Sequence, residues 1–167
     1  MRWSEFVAQV RERGQYPTAR EAERVSRIVL SALGGHLTGA ERTELAVRLP
    51  QEGTRVLTDQ PKVVKPLSGA QFVDSVAARI EGATPATARW DVSSVLSVVA
   101  ELADKDLLDR IIDRLPPGYA LLFGRAQLAR RPDGVRGRTR DPVSPWPVSG
   151  RRRGPVPRGR AGVTAVR

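Results

Sequence analysis

Apolar positions along the chain recur at helical spacing, and most runs open and close on a recognisable signal. Trp3, Phe6, Val7 and Val10 stand at i, i+3, i+4 and i+7, which predicts an amphipathic helix with Gly14 as its stop. Thr18-Ala19-Arg20-Glu21 has the form of a capping box, in which hydroxyl and carboxylate satisfy each other's orphan N–H groups. The second helix it opens carries Ala22, Val25, Val29 and Leu33 on one face, and Gly34-Gly35 is expected to end it. Another such box, Thr38-Gly39-Ala40-Glu41, opens a third helix with Leu45 and Leu49, closed by Pro50. Three short helices therefore make the unit.

A linker over residues 58–66, with Pro61 and Pro66, separates this unit from a second pass through the same programme. Ser68-Gly69-Ala70-Gln71 is again a capping box, ahead of Phe72, Val76 and Ile80. Thr84-Pro85 sets a capping residue before a proline at the first helical position. Val92, Val95, Val99 and Leu102 then mark the buried stripe of the longest helix. A third helix near residues 105–115 shows Leu107, Leu108, Ile111, Ile112 and Leu115, and Tyr119 to Leu128 has the makings of one last short helix. Arg48-Leu49-Pro50 and Arg114-Leu115-Pro116 close the two passes at an offset of 66 residues, and residues 6–57 align with 72–123 without a gap. Phe6 falls on Phe72, Val10 on Val76, and Val29-Leu30-Ser31 on Val95-Leu96-Ser97. Short runs of Val and Ile also suit strands, but the helix-start signals and the 3.6-residue spacing decide for an all-α fold. A unit of about 55 residues buries too little surface to be stable alone. The expectation is one pseudo-two-fold domain over residues 1–129, with units at about 1–57 and 67–123. An open solenoid ordinarily needs three or more repeats.

Composition changes this picture in one place. Of 28 Lys and Arg, 11 lie from Arg130 onward, against only Asp133 and Asp141 there, a net charge of +9. The first 129 residues hold the other 17 basic and 16 acidic groups, a net charge of +1. The basicity belongs to residues 130–167, an Arg-, Pro- and Gly-rich stretch without apolar periodicity that reads as a disordered tail. There is no cysteine for a disulfide or thiolate metal site, and a reducing cytoplasm is the expected setting. The opening residues lack the apolar core of a secretory signal, and the longest apolar or small run, Val92 to Ala100, is far short of the roughly 20 residues that span a bilayer.

The duplicated unit resembles a family of uncharacterised bacterial proteins, a domain of unknown function built from tandem three-helix units ending in Leu-Pro. The residues that carry the resemblance are Trp3-Ser4-Glu5-Phe6, Ala22, Val29-Leu30, Leu49-Pro50 and Leu115-Pro116, and it extends to about residue 128. Those positions concern helix packing and termination, so the resemblance implies a fold and no chemistry.

Candidate chemistry is sparse. His36, the only histidine, has no Cys or second His with which to share a metal, and a polar loop or capping role is its expectation. Asp106, Asp109 and Asp113 share a helical face, but Leu108 and the lack of a glycine break the calcium-loop pattern. Ion pairs Asp106–Arg110 and Lys105–Asp109, with Asp104 or Asp106 at the helix start, account for these carboxylates. No phosphate-binding glycine loop, dinucleotide fingerprint or Ser/His arrangement is found, so neither cofactor nor catalytic residue is assigned and an enzyme is not expected. Trp3 is placed in the core or at its rim. Trp90 is placed over the seam between units or on an exposed hot spot, and Trp146, between Pro145 and Pro147, in an extended segment. The nucleic-acid candidates are Arg130, Arg131, Arg136, Arg138, Arg140, Arg151, Arg152, Arg153, Arg158 and Arg160, whose guanidinium groups suit phosphates. The same composition is what an extended or shifted reading frame in GC-rich DNA would encode. Two functions remain: a non-enzymatic cytoplasmic module that binds a protein through its helical core, and a nucleic-acid-associated protein that uses its tail. No membrane partner is expected.

Overall fold

The structure is a computed structural model and describes residues 1–125. Those residues form eight helices and no strand. In order they are α1 (Trp3–Gly14), α2 (Ala19–His36), α3 (Gly39–Arg48), α4 (Gln51–Thr58), α5 (Gly69–Ala77), α6 (Pro85–Leu102), α7 (Lys105–Arg114) and α8 (Tyr119–Leu122). No helix among the described residues is long and apolar enough to cross a membrane.

Three of the four helix starts in the second half, Gly69, Pro85 and Lys105, lie 66 residues after Trp3, Ala19 and Gly39. Each half therefore has four helices, not three. The sequence reading missed α4, because Pro50 looks like an end and Gln51 to Thr58 has only two large apolar residues, Val56 and Leu57. Pro50 does end α3, but it is also the residue ahead of α4, where its missing N–H costs nothing. In the second half Gly118, at φ 101°, starts α8 two residues later in register. Gly124, at φ 79°, follows close behind, so α8 is four residues long rather than reaching Leu128.

α2 and α6 are the two central helices, 18 residues each. α1 packs on both, α5 does the same from the other half, and α4 and α8 close against α2 and α6 respectively. Phe6, Val10, Val29, Leu30, Leu33, Phe72, Val76, Val92, Val95, Leu96 and Val99 are fully buried in one continuous cluster that draws on both halves. Leu102, expected on the buried stripe of α6, is only half-buried.

Gly14 stops α1 as expected, but other local signals need correction. Gly34 and Gly35 do not stop α2, which continues to His36. They are buried in its last turns, where a Cβ on Gly34 would strike the Leu57 carbonyl of α4 and one on Gly35 would lie 3.1 Å from Val63. Gly14 ends α1 for a related reason, since the Tyr16 ring covers it, while the left-handed residue is Gln15. At Thr38 the expected capping box does not form. Gly39 begins α3 at φ 63°, outside the conformation that such a box needs, and Glu41 turns inward to Arg114 at 3.1 Å. Finally, Arg110 and Asp109 do not pair along α7. Arg110 reaches Glu44 and Asp109 reaches Arg125. The caps at Thr18, Ser68, Thr84 and Asp104 do hold the N–H groups of Glu21, Gln71, Thr87 and Leu107.

Candidate functional site

The residues singled out for chemistry have structural employment. His36 ends α2, where its Nδ1 hydrogen-bonds the Ala32 carbonyl at 2.9 Å and its Nε2 accepts from the Leu67 N–H at 3.2 Å. That pair of roles belongs to the neutral ring with its proton on Nδ1. The imidazole also meets the edge of Phe72, so it joins α2 to the linker and α5. Asp104 caps α7 and pairs with Arg48, and the N–H of Leu107 holds its carboxyl below the ordinary carboxylate range. Among the described residues no group of three His, Cys, Asp or Glu is placed to hold a metal. The ten candidate arginines, Arg130 to Arg160, and Trp146 lie outside the described residues.

Trp90 covers the seam between halves. Its ring is about half exposed, and its indole N–H donates to the Gly14 carbonyl at 3.0 Å. Beside it the Tyr16 hydroxyl donates to Asp91 at 2.5 Å. Burial and the neighbouring carboxylate push the Tyr16 hydroxyl up, and burial raises Asp91 as well. With Arg13–Glu101 these contacts fasten the end of α1 to α6. This cluster is a clasp between helices.

Larger depressions of about 670 and 580 Å³ are lined mainly by polar and charged residues, of α2 and of α3 with α4 respectively, whereas a mostly apolar groove of about 480 Å³ lies between α5, α8 and the first turns of α6. Its floor and walls are Gly69, Ala70, Val73, Pro85, Ala86, Gly118, Leu121 and Leu122, with Asp74 and Arg89 at the rim. Leu121 is 51% exposed, one of few large apolar side chains left so. The groove owes its shape to glycine. A Cβ on Gly69 would come within 2.6 Å of the Gly118 backbone, so only a glycine pair lets α5 and α8 approach, with Gly69 N–H donating to the Pro117 carbonyl at 2.8 Å.

The 66-residue offset explains what is missing from this surface. Gly69 falls on Trp3, and Tyr119 falls on Gly53. In the first half Trp3 stacks on Phe6 with centroids 5.3 Å apart, and Gly53 leaves room beside it. In the second half the aromatic neighbour of Phe72 comes from α8 instead, as Tyr119 at 5.4 Å. Tyr119 is buried, with its hydroxyl on the Leu67 carbonyl at 2.9 Å, and burial pushes that hydroxyl up. The outer part of the Trp3 position thus has no counterpart in the second half. Over Trp3 lie Glu23, which accepts the indole N–H at 3.1 Å, and Arg27, 5.3 Å above the ring and paired with both Glu23 and Glu52. Glu52, Arg55 and Arg27 correspond to Gly118, Leu121 and Ser93.

The decisive comparison is at the level of the family. The family model described as "Uncharacterized conserved protein (DUF2267)" matches residues 3–122. The chain belongs to this DUF2267 family. The match takes in all eight helices and therefore the whole groove, and the curated proteins compared contain no match to the chain. The α5–α6–α8 groove was not found from the sequence, and the replacement of Trp3 by Gly69 lies just ahead of the aligned stretches 6–57 and 72–123. It carries no motif, because apolar recognition surfaces are built from ordinary helix residues.

Proposed function

We propose that this DUF2267 protein is a non-enzymatic cytoplasmic module that holds another protein in the α5–α6–α8 groove. The observation that supports this reading is the asymmetry between halves. Trp3 and a network of charged residues cover this face in the first half, and in the second half the face lacks both and is lined mainly by apolar residues. A concave apolar surface with a few polar groups at its rim is the usual form of a recognition site. The test uses the full-length protein to capture partners, comparing Leu121→Asp with Val47→Asp. Val47 is a more exposed apolar residue on α3, away from the groove. The expected result is loss of capture for Leu121→Asp alone. Equal capture by all three proteins would refute the groove as the docking surface.

The second reading is a nucleic-acid-associated protein, and the charge of +9 over residues 130–167 favours it. Binding of that kind falls steeply with salt and is indifferent to Leu121→Asp, so the two readings separate in one set of measurements.

A further inference from the structure

We infer that the groove takes an acidic peptide segment through a large aromatic side chain, an inference that rests on the docking function proposed above. The first half shows what completes such a surface. There an indole lies on Phe6, an arginine lies over the indole, and the carboxylates of Glu23 and Glu52 hold that arginine. At the matching places the second half keeps a single charged residue, Arg89 in the position of Glu23. It has no ring on the outer face and no carboxylate corresponding to Glu23 or Glu52. Arg89 is exposed and makes no hydrogen bond or ion pair among the described residues, and the positive end of the α6 dipole lies beside it at Pro85 and Ala86. A partner that brings a ring and carboxylates restores the whole arrangement. The ring covers Leu121, Ala70 and Ala86, the guanidinium of Arg89 stacks on it or pairs beside it, and the carboxylates neutralise Arg89. Asp74, on the opposite rim and likewise without a partner among the described residues, offers an acceptor for an indole N–H. An acidic peptide meets two positive features, Arg89 and the positive end of α6, and its indole N–H occupies Asp74, whereas a basic peptide gains Asp74 alone and faces both positive features, so the balance favours the acidic one.

The experiment is a titration of ¹⁵N-labelled full-length protein, followed by amide resonances, with three blocked pentapeptides. One has tryptophan between two pairs of glutamates, one has tryptophan between two pairs of lysines, and one has alanine between two pairs of glutamates. Reading individual amides separates the groove from attraction of acidic peptides to the arginine-rich residues. The expected result is saturable movement of Gly69, Val73, Ala86 and Leu121 with the first peptide, and at least tenfold weaker binding of the other two. Arg89→Glu, a change at an exposed residue that leaves the melting temperature in place, should reverse the order of the glutamate and lysine peptides. Equal groove shifts from glutamate and lysine peptides, or from tryptophan and alanine, would overturn this occupant and leave the docking surface standing. If no peptide moves those amides, or if movement is confined to residues after Ala129, the docking function falls with it.

Discussion

At the scale of single residues, glycines carry much of what distinguishes this chain from a generic helical bundle, and they do so for opposite reasons. Gly34 is buried where a Cβ would strike the backbone of Leu57, so α2 and α4 pack at a distance that only glycine allows. Gly53 is also inside a helix, but a Cβ there would meet Trp3 at 3.4 Å and Leu49 at 3.5 Å, both ordinary contacts. The two positions therefore predict opposite signs for one substitution. Gly53→Ala should raise stability by about 0.5–1 kcal/mol through helix propensity alone. Gly34→Ala should lower it by about 1–3 kcal/mol, because backbone has to move. Urea melts of the two variants beside the parent decide the matter, and a stabilised Gly34→Ala would show that α2 and α4 are not in such close contact. The sequence reading took Gly34 for a helix stop and gave Gly53 no role. Which of them faces a neighbouring helix is information about tertiary packing, and no local pattern contains it.

At the scale of elements, α3 and α7 meet antiparallel through three ion pairs, Glu41–Arg114, Glu44–Arg110 and Arg48–Asp104. Glu44 and Arg110 are 66 residues apart, so the central pair joins equivalent positions of the two halves, as a crossing near a two-fold axis requires. The outer pairs run in opposite senses, from Arg48 to the cap of α7 and from Arg114 back to the first turn of α3. The hydrogen bond from Arg110 holds the Glu44 carboxyl below its ordinary value of 4.5, and Asp104 is likewise lowered from 3.8, first by the Leu107 N–H. For carboxylates lowered in the folded state, their stabilisation is in place above those ordinary values and is lost as pH falls through the lowered ones. All these groups are exposed enough for salt to weaken them. Glu44→Arg should therefore lower the melting temperature at pH 7 by placing two arginines together, Arg110→Glu should do the same with two carboxylates, and the double exchange should restore the parent value. The penalty of the single variants should shrink in molar salt, and that of Arg110→Glu should shrink also below pH 4. Independent, additive effects of the two changes would show that the pair is not formed. Sequence spacing assigned Arg110 and Asp109 to neighbours along their own helix, which i, i+4 geometry permits. Arg110 instead meets Glu44, which α3 presents across the interface, and Asp109 meets Arg125 in the stretch after α8. The helices themselves were largely legible, since α1, α2, α3, α5, α6 and α7 begin at or within a residue of their expected signals. α4 was not, because a helix held by Gly53 against Trp3 and Leu30 needs little hydrophobic text of its own.

At the scale of the whole molecule, the buried cluster runs without interruption through both halves, and α1 packs on α6 as α5 packs on α2. Cutting the chain between halves would expose Phe6, Val10, Phe72 and Val76 partners on both pieces. Residues 1–60 and 61–129 made separately should thus be largely unstructured or self-associating by circular dichroism, and a cooperatively melting monomer from either piece would contradict a shared core. The second division of the chain is one of charge. Up to Ala129 the net charge is +1, while residues 130–167 carry +9, so fold and basicity should part at a single cut. A chain ending at Ala129 should keep the helical signal of the full-length protein, melt within a few degrees of it and still bind through the groove. Its phosphate attraction should be gone, because one net positive charge spread over helices supplies little counterion release. If the full-length protein binds nucleic acid, log affinity against log salt should fall with a slope of about −4 to −8, set by some five to nine contacted phosphates at −0.9 each. Salt-sensitive binding retained by the shortened chain would move that site onto the helices. Absence of binding by the full-length chain at low salt would leave the groove as the only proposed surface through which this DUF2267 protein meets a partner.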